Sequence, residues 1–299
     1  MTAIAVIGLG NMGHHMSVNL VEAGHDVQGY DIVPELCERA AAKGVGIADS
    51  APSAAGSADV VITMLQSGEQ VLGLYGGPDG LIAAAKPGTA FLDCSTISVD
   101  DARKAHALAD EAGFLSVDAP VSGGVMGAEA GTLTFMVGGS ADAFEAARPY
   151  FEVMGKRVVH CGDPGAGQGA KICNNLMLAV SMIGVSEGFV LGEKLGLTHQ
   201  ALFDVAANAS GQCWALTTNC PVPGPVPTSP ANRDYAAGFA SQLMLKDLLL
   251  SQAAAESSGT DTELGAHATQ IYQRLVDAHD PHKDFSDIIN EIRERSTEG

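Results

Sequence analysis

Three stretches of the chain hold residue types whose spacing suits chemistry. "GAGQGAKICNNLMLAV" (165–180) sets Lys171, Asn174 and Asn175 at the mouth of an otherwise apolar run. Burying an unpaired ammonium is costly, and lysine plus arginine number only 16 in the whole chain. From 165 to 250 the basic side chains are Lys171, Lys194, Arg233 and Lys246. On a helix starting near Gly169, Lys171 and Asn175 are four residues apart on one face, with Asn174 beside them. A lysine held in a cleft at such a place is poised to exchange a proton with a substrate hydroxyl. It is equally readable as a solvated residue on the exposed first turn of a connecting helix, and spacing alone leaves both readings open.

The second stretch is "VIGLGNMG", where Gly8, Gly10 and Gly13 form G-x-G-x-x-G after an apolar run and before a helical pattern. An acidic residue, Asp31, ends the next predicted strand. That context is the one a dinucleotide site requires, because the glycines permit a tight turn and bring a helix N-terminus to the pyrophosphate. Asp31 would accept from the adenosine ribose hydroxyls and repel a 2′-phosphate, which predicts NAD over NADP. The third stretch, "VSGG" (121–124), follows a strand; Ser122 with the N–H groups of Gly123 and Gly124 makes a cradle for a carboxylate, or a turn needed only for geometry. "DCSTIS" (93–98) also sits where a strand ends. No metal constellation competes: there is no H-E-x-x-H, "HDPH" (279–282) reads as a polar loop, and His14 and His15 read as helix-surface residues.

These groups need a scaffold. From residue 3 to about 162, short apolar runs at 3–8, 25–30, 58–65, 88–95, 114–123, 132–139 and 157–162 read as strands, with helical patterns at 34–43, 98–112 and 141–153. Strands alternating with helices imply βαβ units on a parallel sheet, and the last two runs extend it in mixed orientation. Beyond 168 helical patterns dominate, broken by "CPVPGPVPTSP" (220–230), which reads as an ordered loop near a site. The expected organisation is α/β: a Rossmann-type dinucleotide-binding domain over 1–163, then an all-α domain over 164–299. Gly184, Gly188 and Gly192 form a stripe for close approach of another helix.

Composition narrows the function further. The formal charge of −19 argues against nucleic acid, whose phosphates would be repelled over the whole surface. Six cysteines without a C-x-x-C pair read as reduced thiols, buried by default. The N-terminal apolar run lacks a positive region, and the longest apolar run, 176–185, is about half a membrane span. A soluble cytoplasmic protein with no membrane partner is expected.

"GLGNMG", "DCSTI", "DAPVSGG", "GTLTFMVGG", "GAGQGAKICNN", "WAL" and "LMLKDL" occur in the order and at the spacing of the 3-hydroxyisobutyrate dehydrogenases, and from residue 2 to about 290 the chain resembles that family. The resemblance implies a Rossmann domain joined by a long helix to a helical domain, with homodimers or homotetramers built through the helical domains. It implies that Lys171 is the catalytic lysine, that Asn175 helps hold the substrate, and that Ser122, Gly123 and Gly124 bind its carboxylate. Trp214 and Phe239 would line the pocket around the substrate methyl group. Gly8, Gly10, Asn11, Met12, Gly13, Asp31, Leu65, Gln66, Thr96 and Lys246 match positions at the cofactor. The implied reaction is NAD-dependent oxidation of 3-hydroxyisobutyrate to methylmalonate semialdehyde, a step of valine catabolism. The rival readings are a tartronate semialdehyde reductase or another short β-hydroxyacid dehydrogenase, and a non-catalytic family member. In one departure, Gln66 stands where the family usually shows proline after Met-Leu, which predicts altered rigidity of the cofactor loop.

Overall fold

Strands β1 (Ala3–Ile7), β2 (Asp26–Tyr30), β3 (Gly46–Ile47), β4 (Val60–Thr63), β5 (Ala90–Asp93), β6 (Leu115–Asp118), β7 (Val121–Ser122), β8 (Leu133–Gly138) and β9 (Gly155–Gly162) form one sheet. Its order is β3-β2-β1-β4-β5-β6-β8-β7, with β9 paired to β8. The structure, a computed structural model, describes residues 1–297. Two compact units divide it, residues 1–171 and residues 172–299.

In the first unit the pairs from β3 through β6 are all parallel. β8 runs antiparallel to β6 and β7, while β9 is parallel to β8. The central strands are almost wholly apolar because both faces of the sheet are covered. Successive side chains point to opposite faces: Ile4, Val6, Val60 and Ile62 join one core cluster, and Ala5, Ile7 and Val61 join the other. Helices Asn11–Glu22 and Ala141–Met154 cover the first face with Met16, Leu20, Ala147, Phe151 and Met154. Helices Ala51–Ser57, Gly68–Tyr75 and Val99–Glu111 cover the second with Ala54, Val71, Tyr75 and Ala102. Burying a side chain as completely as Phe151 contributes about 1.5–3 kcal/mol. Ser50, Ser67, Ser98 and Ser140 each cap a helix through the side-chain oxygen, which starts these helices at the strand ends.

The run 114–123, expected as one strand, is two. β6 stops at Asp118 and β7 begins at Val121, because Pro120 has no N–H for a ladder. The Pro120 carbonyl accepts from Met136 N at 3.0 Å, so β8 crosses the break.

The long helix Ala166–Lys194 begins three residues before the expected Gly169 and runs on through the division between the units. By length and composition it is apolar enough to cross a membrane. Much of its apolar surface nevertheless belongs to the core of the second unit: Ala179, Met182 and Ile183 pack with Met244, Leu248, Tyr272 and Phe285, and Phe189 and Val190 with Leu216, Val222 and Ile289. Helices Ser241–Ser258 and Glu263–Ala278 complete this unit's core. No named strand lies beyond Gly162 among the described residues; a single bridge joins Ala240 and Asp284.

Three expectations are corrected. Of the glycine stripe, only Gly192 is closely packed, against Leu202 and Leu197; a Cβ on Gly184 or Gly188 would meet nothing within 4 Å. His14 is buried at 6% exposure rather than on the helix surface, and burial, then Arg39, His15 and Lys43, hold its pKa low. Only Cys94 and Cys220 of the six thiols are buried, while Cys173 is exposed, because its position on the long helix faces away from the core clusters. The proline-rich loop is ordered by polar ties: Tyr235 Oη donates to the Pro221 carbonyl at 3.0 Å, and Asn232 bonds Gly224 N, Val226 O and Ser229 Oγ.

Candidate active site

β1, β2, β4, β5 and β6 are parallel, so the loops after them lie along the same edge of the sheet. Ligands of open α/β sheets bind along that edge. Gly8 follows β1 with φ +97°, a conformation that favours glycine. A Cβ there would stand 2.3 Å from the Met64 carbonyl, and one on Gly13 would stand 1.9 Å from the Gly8 carbonyl. Both glycines are therefore dictated by packing of the loop on the next strand and on its own helix. Gly10 differs, since its Cβ direction is open for 4 Å. The helix Asn11–Glu22 follows with no side-chain cap, which leaves the first-turn N–H groups of Asn11, Met12 and Gly13 directed at that open space. A cradle with closed walls, an open centre and uncapped donors fits a pyrophosphate.

Asp31 sits beside this loop. Its Oδ2 accepts from Leu9 N at 2.7 Å and its Oδ1 from Val33 N at 3.0 Å. Each carboxylate oxygen retains a lone pair for a hydroxyl donor. Arg39, unremarked in the sequence, reaches the same loop and donates to the Leu9 and Gly10 carbonyls at 2.9 and 3.1 Å. In the loop after β4, Leu65 N donates to Ser95 Oγ at 2.8 Å. Gln66 N donates to Gln70 Oε1 at 3.0 Å, a bond that a proline would lack. Thr96 follows Ser95 and is half-buried.

Beneath these loops lies a buried acid. Asp93 ends β5, and its Oδ1 accepts from Thr63 Oγ1 at 2.8 Å and Ser95 N at 3.1 Å. Its Oδ2 has no partner among the described residues. Burial pushes this carboxyl up to about 6, against the lowering effect of the bonds from Ser95 and Thr63. A small internal cavity beside it is lined by Tyr75, His106, Ser116 and Asp118.

Lys171 is 6% exposed, and its Nζ donates to the Val121 carbonyl at 2.9 Å. Val121 immediately precedes Ser122, Gly123 and Gly124, so the ammonium is held on the segment expected to cradle a carboxylate. Gly123 and Gly124 have φ of +135° and +61°, and Gly124 opens the short helix Gly124–Glu129. Ser122 and Gly124 are half-buried and Gly123 is exposed. Within this unit the expected lysine is thus bonded to the residue just before the expected cradle, while the solvated-lysine alternative is not what the packing shows.

In the second unit, Asn175 is 1% exposed and its Nδ2 donates to Asp247 Oδ2 at 2.5 Å. Asp247 is 3% exposed and adjoins the half-buried Lys246. Sequence reading passed over Asp247, though it stands inside the "LMLKDL" motif. Trp214 opens the short helix Trp214–Thr217 and is 52% exposed, so it is not core. Phe239 is half-buried and packs edge-on against Phe285 at 5.8 Å between ring centroids. Its backbone is fixed by another residue that sequence reading missed. Asp284 Oδ2 accepts from Gly238 N and Phe239 N, both at 3.0 Å; Oδ1 accepts from Asn219 Nδ2, Ser286 N and Ser286 Oγ. No motif points to such a hub, because its partners lie on three separate segments, around residues 219, 238 and 286.

The comparisons with known proteins agree with this geometry. Residues 3–162 match the family described as the NAD binding domain of 6-phosphogluconate dehydrogenase. Residues 165–292 match the NAD-binding family of NADP-dependent 3-hydroxyisobutyrate dehydrogenase. A probable 3-hydroxyisobutyrate dehydrogenase of Mycobacterium tuberculosis is 54% identical over 296 residues, covering 99% of each chain. An NAD-dependent L-serine dehydrogenase of Pseudomonas aeruginosa is 49% identical over 286 residues, covering 96% of each. Among solved structures, Mycobacterium tuberculosis 3-hydroxyisobutyrate dehydrogenase with L-serine superposes with a TM-score of 0.94 at 55% identity, covering 98% of this chain and 99% of that one. Neither of the first two proteins shares less than nine-tenths of its length with this chain. The chain belongs to the 3-hydroxyisobutyrate dehydrogenase family, the NAD-dependent oxidoreductases that act on β-hydroxyacids.

Proposed function

We propose that this protein oxidises 3-hydroxyisobutyrate to methylmalonate semialdehyde, a step of valine catabolism, with Lys171 as general acid/base. The observation that carries the reading is the bond from Lys171 Nζ to the Val121 carbonyl, beside the Ser122–Gly124 cradle. It places the only basic side chain between residues 165 and 193 at a segment rich in backbone donors. NAD, when bound, supplies the hydride acceptor, and Gly8, Gly10, Asn11, Met12, Gly13, Asp31, Leu65, Gln66, Thr96 and Lys246 would hold it. Asp31 sets the preference for NAD over NADP, because its carboxylate opposes a 2′-phosphate.

The substrate carboxylate lies against Ser122 Oγ and the N–H groups of Gly123 and Gly124. Lys171, as the free amine, takes the proton from the C3 hydroxyl as that carbon loses hydride, leaving the aldehyde. In reduction its ammonium returns the proton to the aldehyde oxygen. Asn175, one helical turn beyond Lys171, is assigned to holding the substrate, and Trp214 and Phe239 to its substituent at C2. The exposure of Trp214 supports this assignment, since a tryptophan left half open is available to a ligand.

A second substrate has its own support. L-serine is also a 3-hydroxyacid and carries an ammonium where 3-hydroxyisobutyrate carries a methyl group. The Asp247 carboxylate on Asn175 offers an acceptor for that ammonium, and two similar proteins carry L-serine in their names. Functional division of the chain into an NAD-binding part (1–163) and a substrate and oligomerisation part (164–299) belongs to the same proposal. So does assembly as a homodimer or homotetramer in the cytoplasm. Met177, Leu191, Leu249 and Leu264 are exposed on the helical unit, and the open faces of Gly184 and Gly188 lie on the same long helix as the first two.

Steady-state turnover with NAD tests the reading on 3-hydroxyisobutyrate, its neutral methyl ester and L-serine. The acid is expected to exceed the ester by about 10²-fold or more in kcat/KM, since the cradle's donors stay unpaired against the ester. Equal turnover of acid and ester removes the cradle from the site. A higher kcat/KM for L-serine than for 3-hydroxyisobutyrate makes the amino acid the substrate.

A further inference from the structure

The long helix that carries Lys171 starts without a capping side chain of its own, because the residue flanking its first turn is Gly165, with φ +86°. The capping carboxylate comes from β6. Asp118 Oδ1 accepts from Gly165 N and Oδ2 from Gln168 N, both at 2.8 Å. The carboxylate is 1% exposed, and a negative charge at a helix N-terminus is favoured by the helix dipole. His106 Nε2 lies 3.0 Å from Asp118 Oδ1, and His106 Nδ1 lies 2.7 Å from Ser116 Oγ, the pattern of a ring that donates from Nε2 and accepts at Nδ1.

Two glycines exist to make room for this cap. A Cβ on Gly167 would stand 2.3 Å from Met136 O and 2.8 Å from Asp118 Oδ2, and one on Gly138 would stand 2.4 Å from Asp118 Oδ1. The glycines of "GTLTFMVGG" and "GAGQGAK" thus let the helix start rest directly on the carboxylate. Gln168 adds a second tie, donating to Ser95 O at 2.7 Å and accepting from Ile97 N at 3.1 Å, on either side of Thr96.

One seven-residue segment, 118–124, therefore holds the lysine's helix at two points and carries the expected cradle besides. Its first residue caps that helix, its fourth accepts from the Lys171 ammonium, and its last three are the residues assigned to the carboxylate. We infer that Asp118 is a positioning residue for Lys171: its carboxylate sets the helix start against the strand, and so fixes the distance between proton carrier and cradle. The inference rests on the reading of Lys171 as general acid/base. Asn at this position has one acceptor oxygen for two backbone N–H groups and turns its NH₂ toward the other, so the first turn must shift. A displacement of about 1 Å at a reacting group costs as much as 10²-fold in rate.

A double-mutant cycle tests it, measuring kcat and KM for the best 3-hydroxyacid and NADH affinity by fluorescence titration. D118N is expected to lower kcat about 10- to 100-fold with KM and NADH affinity nearly unchanged. In a K171A background the same substitution is expected to change kcat by less than about 2-fold, because no lysine is left to position. A merely structural role would lower kcat by the same factor in both backgrounds, and that result overturns the proposal, as does full activity of D118N. If D118N does not fold, Q168A replaces it in the cycle, with a fall of about 3- to 10-fold expected only where Lys171 is present; an equal fall in both backgrounds overturns the proposal. Retention of turnover by K171A is a different failure: it overturns the reading of Lys171 and the inference built on it.

Discussion

The two units hold their polar groups in place by different means. In residues 1–171 the work falls to backbone. The N–H groups of the Gly8–Gly13 loop, of Gly123 and of Gly124, and the carbonyl of Val121, are presented by strand ends, and glycines are needed because a Cβ would collide with neighbouring backbone. In residues 172–299 it falls to side chains on helices, where Asn175 is held by Asp247 and the backbone carrying Phe239 by Asp284. Each unit rests on a buried carboxylate that gathers distant backbone donors, Asp118 in the first and Asp284 in the second. The difference teaches that a backbone site tolerates little change in geometry but leaves few side chains to mutate, whereas a helical site is easily re-specified by single side chains.

The sharpest way to break the comparison is at Lys171, the one side chain of the backbone-built unit to which the proposed function assigns proton transfer. Lys171→Ala is expected to lower turnover by about 10²- to 10⁴-fold, while NADH binding, measured by fluorescence, stays close to normal. Lys171→Arg is expected not to restore activity, because a guanidinium stays protonated. Oxidation by the unmodified enzyme should rise with pH on a limb that Lys171→Ala lacks. Retained turnover in Lys171→Ala would mean that this unit binds and does no proton chemistry.

A smaller effect is expected at Asp31. Asp31→Ser should narrow the NAD over NADP preference by about 10-fold in kcat/KM, the scale of one charge–charge repulsion partly screened by water. Arg39, already beside the loop, is placed to meet the 2′-phosphate once the carboxylate is gone. Equal efficiency with both cofactors in the unmodified enzyme would remove Asp31 as the discriminator.

The smallest effect separates the units by the sign of their pH dependence. Asp93, in the first, has its pKa raised by burial from 3.8 to about 6. The stability it contributes is present below pH 3.8 and is lost as pH rises through about 6, where the buried carboxyl must ionise. Glu193, in the second, is held below 4.5 by hydrogen bonds from Arg293 and His199, against partial burial. Its contribution is present above 4.5 and is lost as pH falls through the lowered value. Measured as Tm against pH, the unmodified protein should lose ground to Asp93→Asn between pH 4 and 6, and should lose ground to Glu193→Gln only on acidifying below 4.5. Parallel shifts in both variants would show that the two carboxylates do not differ in environment.

The sequence by itself determined the parallel α/β sheet, its mixed edge, the glycine cradle with Asp31, and the helical character beyond residue 168. These are written in local period and in residues that only one backbone conformation accommodates. It also placed Lys171 and Asn175 one turn apart, because helix geometry is local. Tertiary structure alone decided that Lys171 is held on the Val121 carbonyl, that Pro120 splits a run read as one strand, and that Gly184 and Gly188 face open space. It alone chose Asp118 and Asp284 among 35 acidic residues as buried hubs. An aspartate's local sequence says nothing of the backbone donors that will reach it: those of Asp118 come from 47 and 50 residues away, and the farthest of Asp284 from 46. Desolvation makes such a site costly unless every bond is made at once, and only the folded chain brings the donors together.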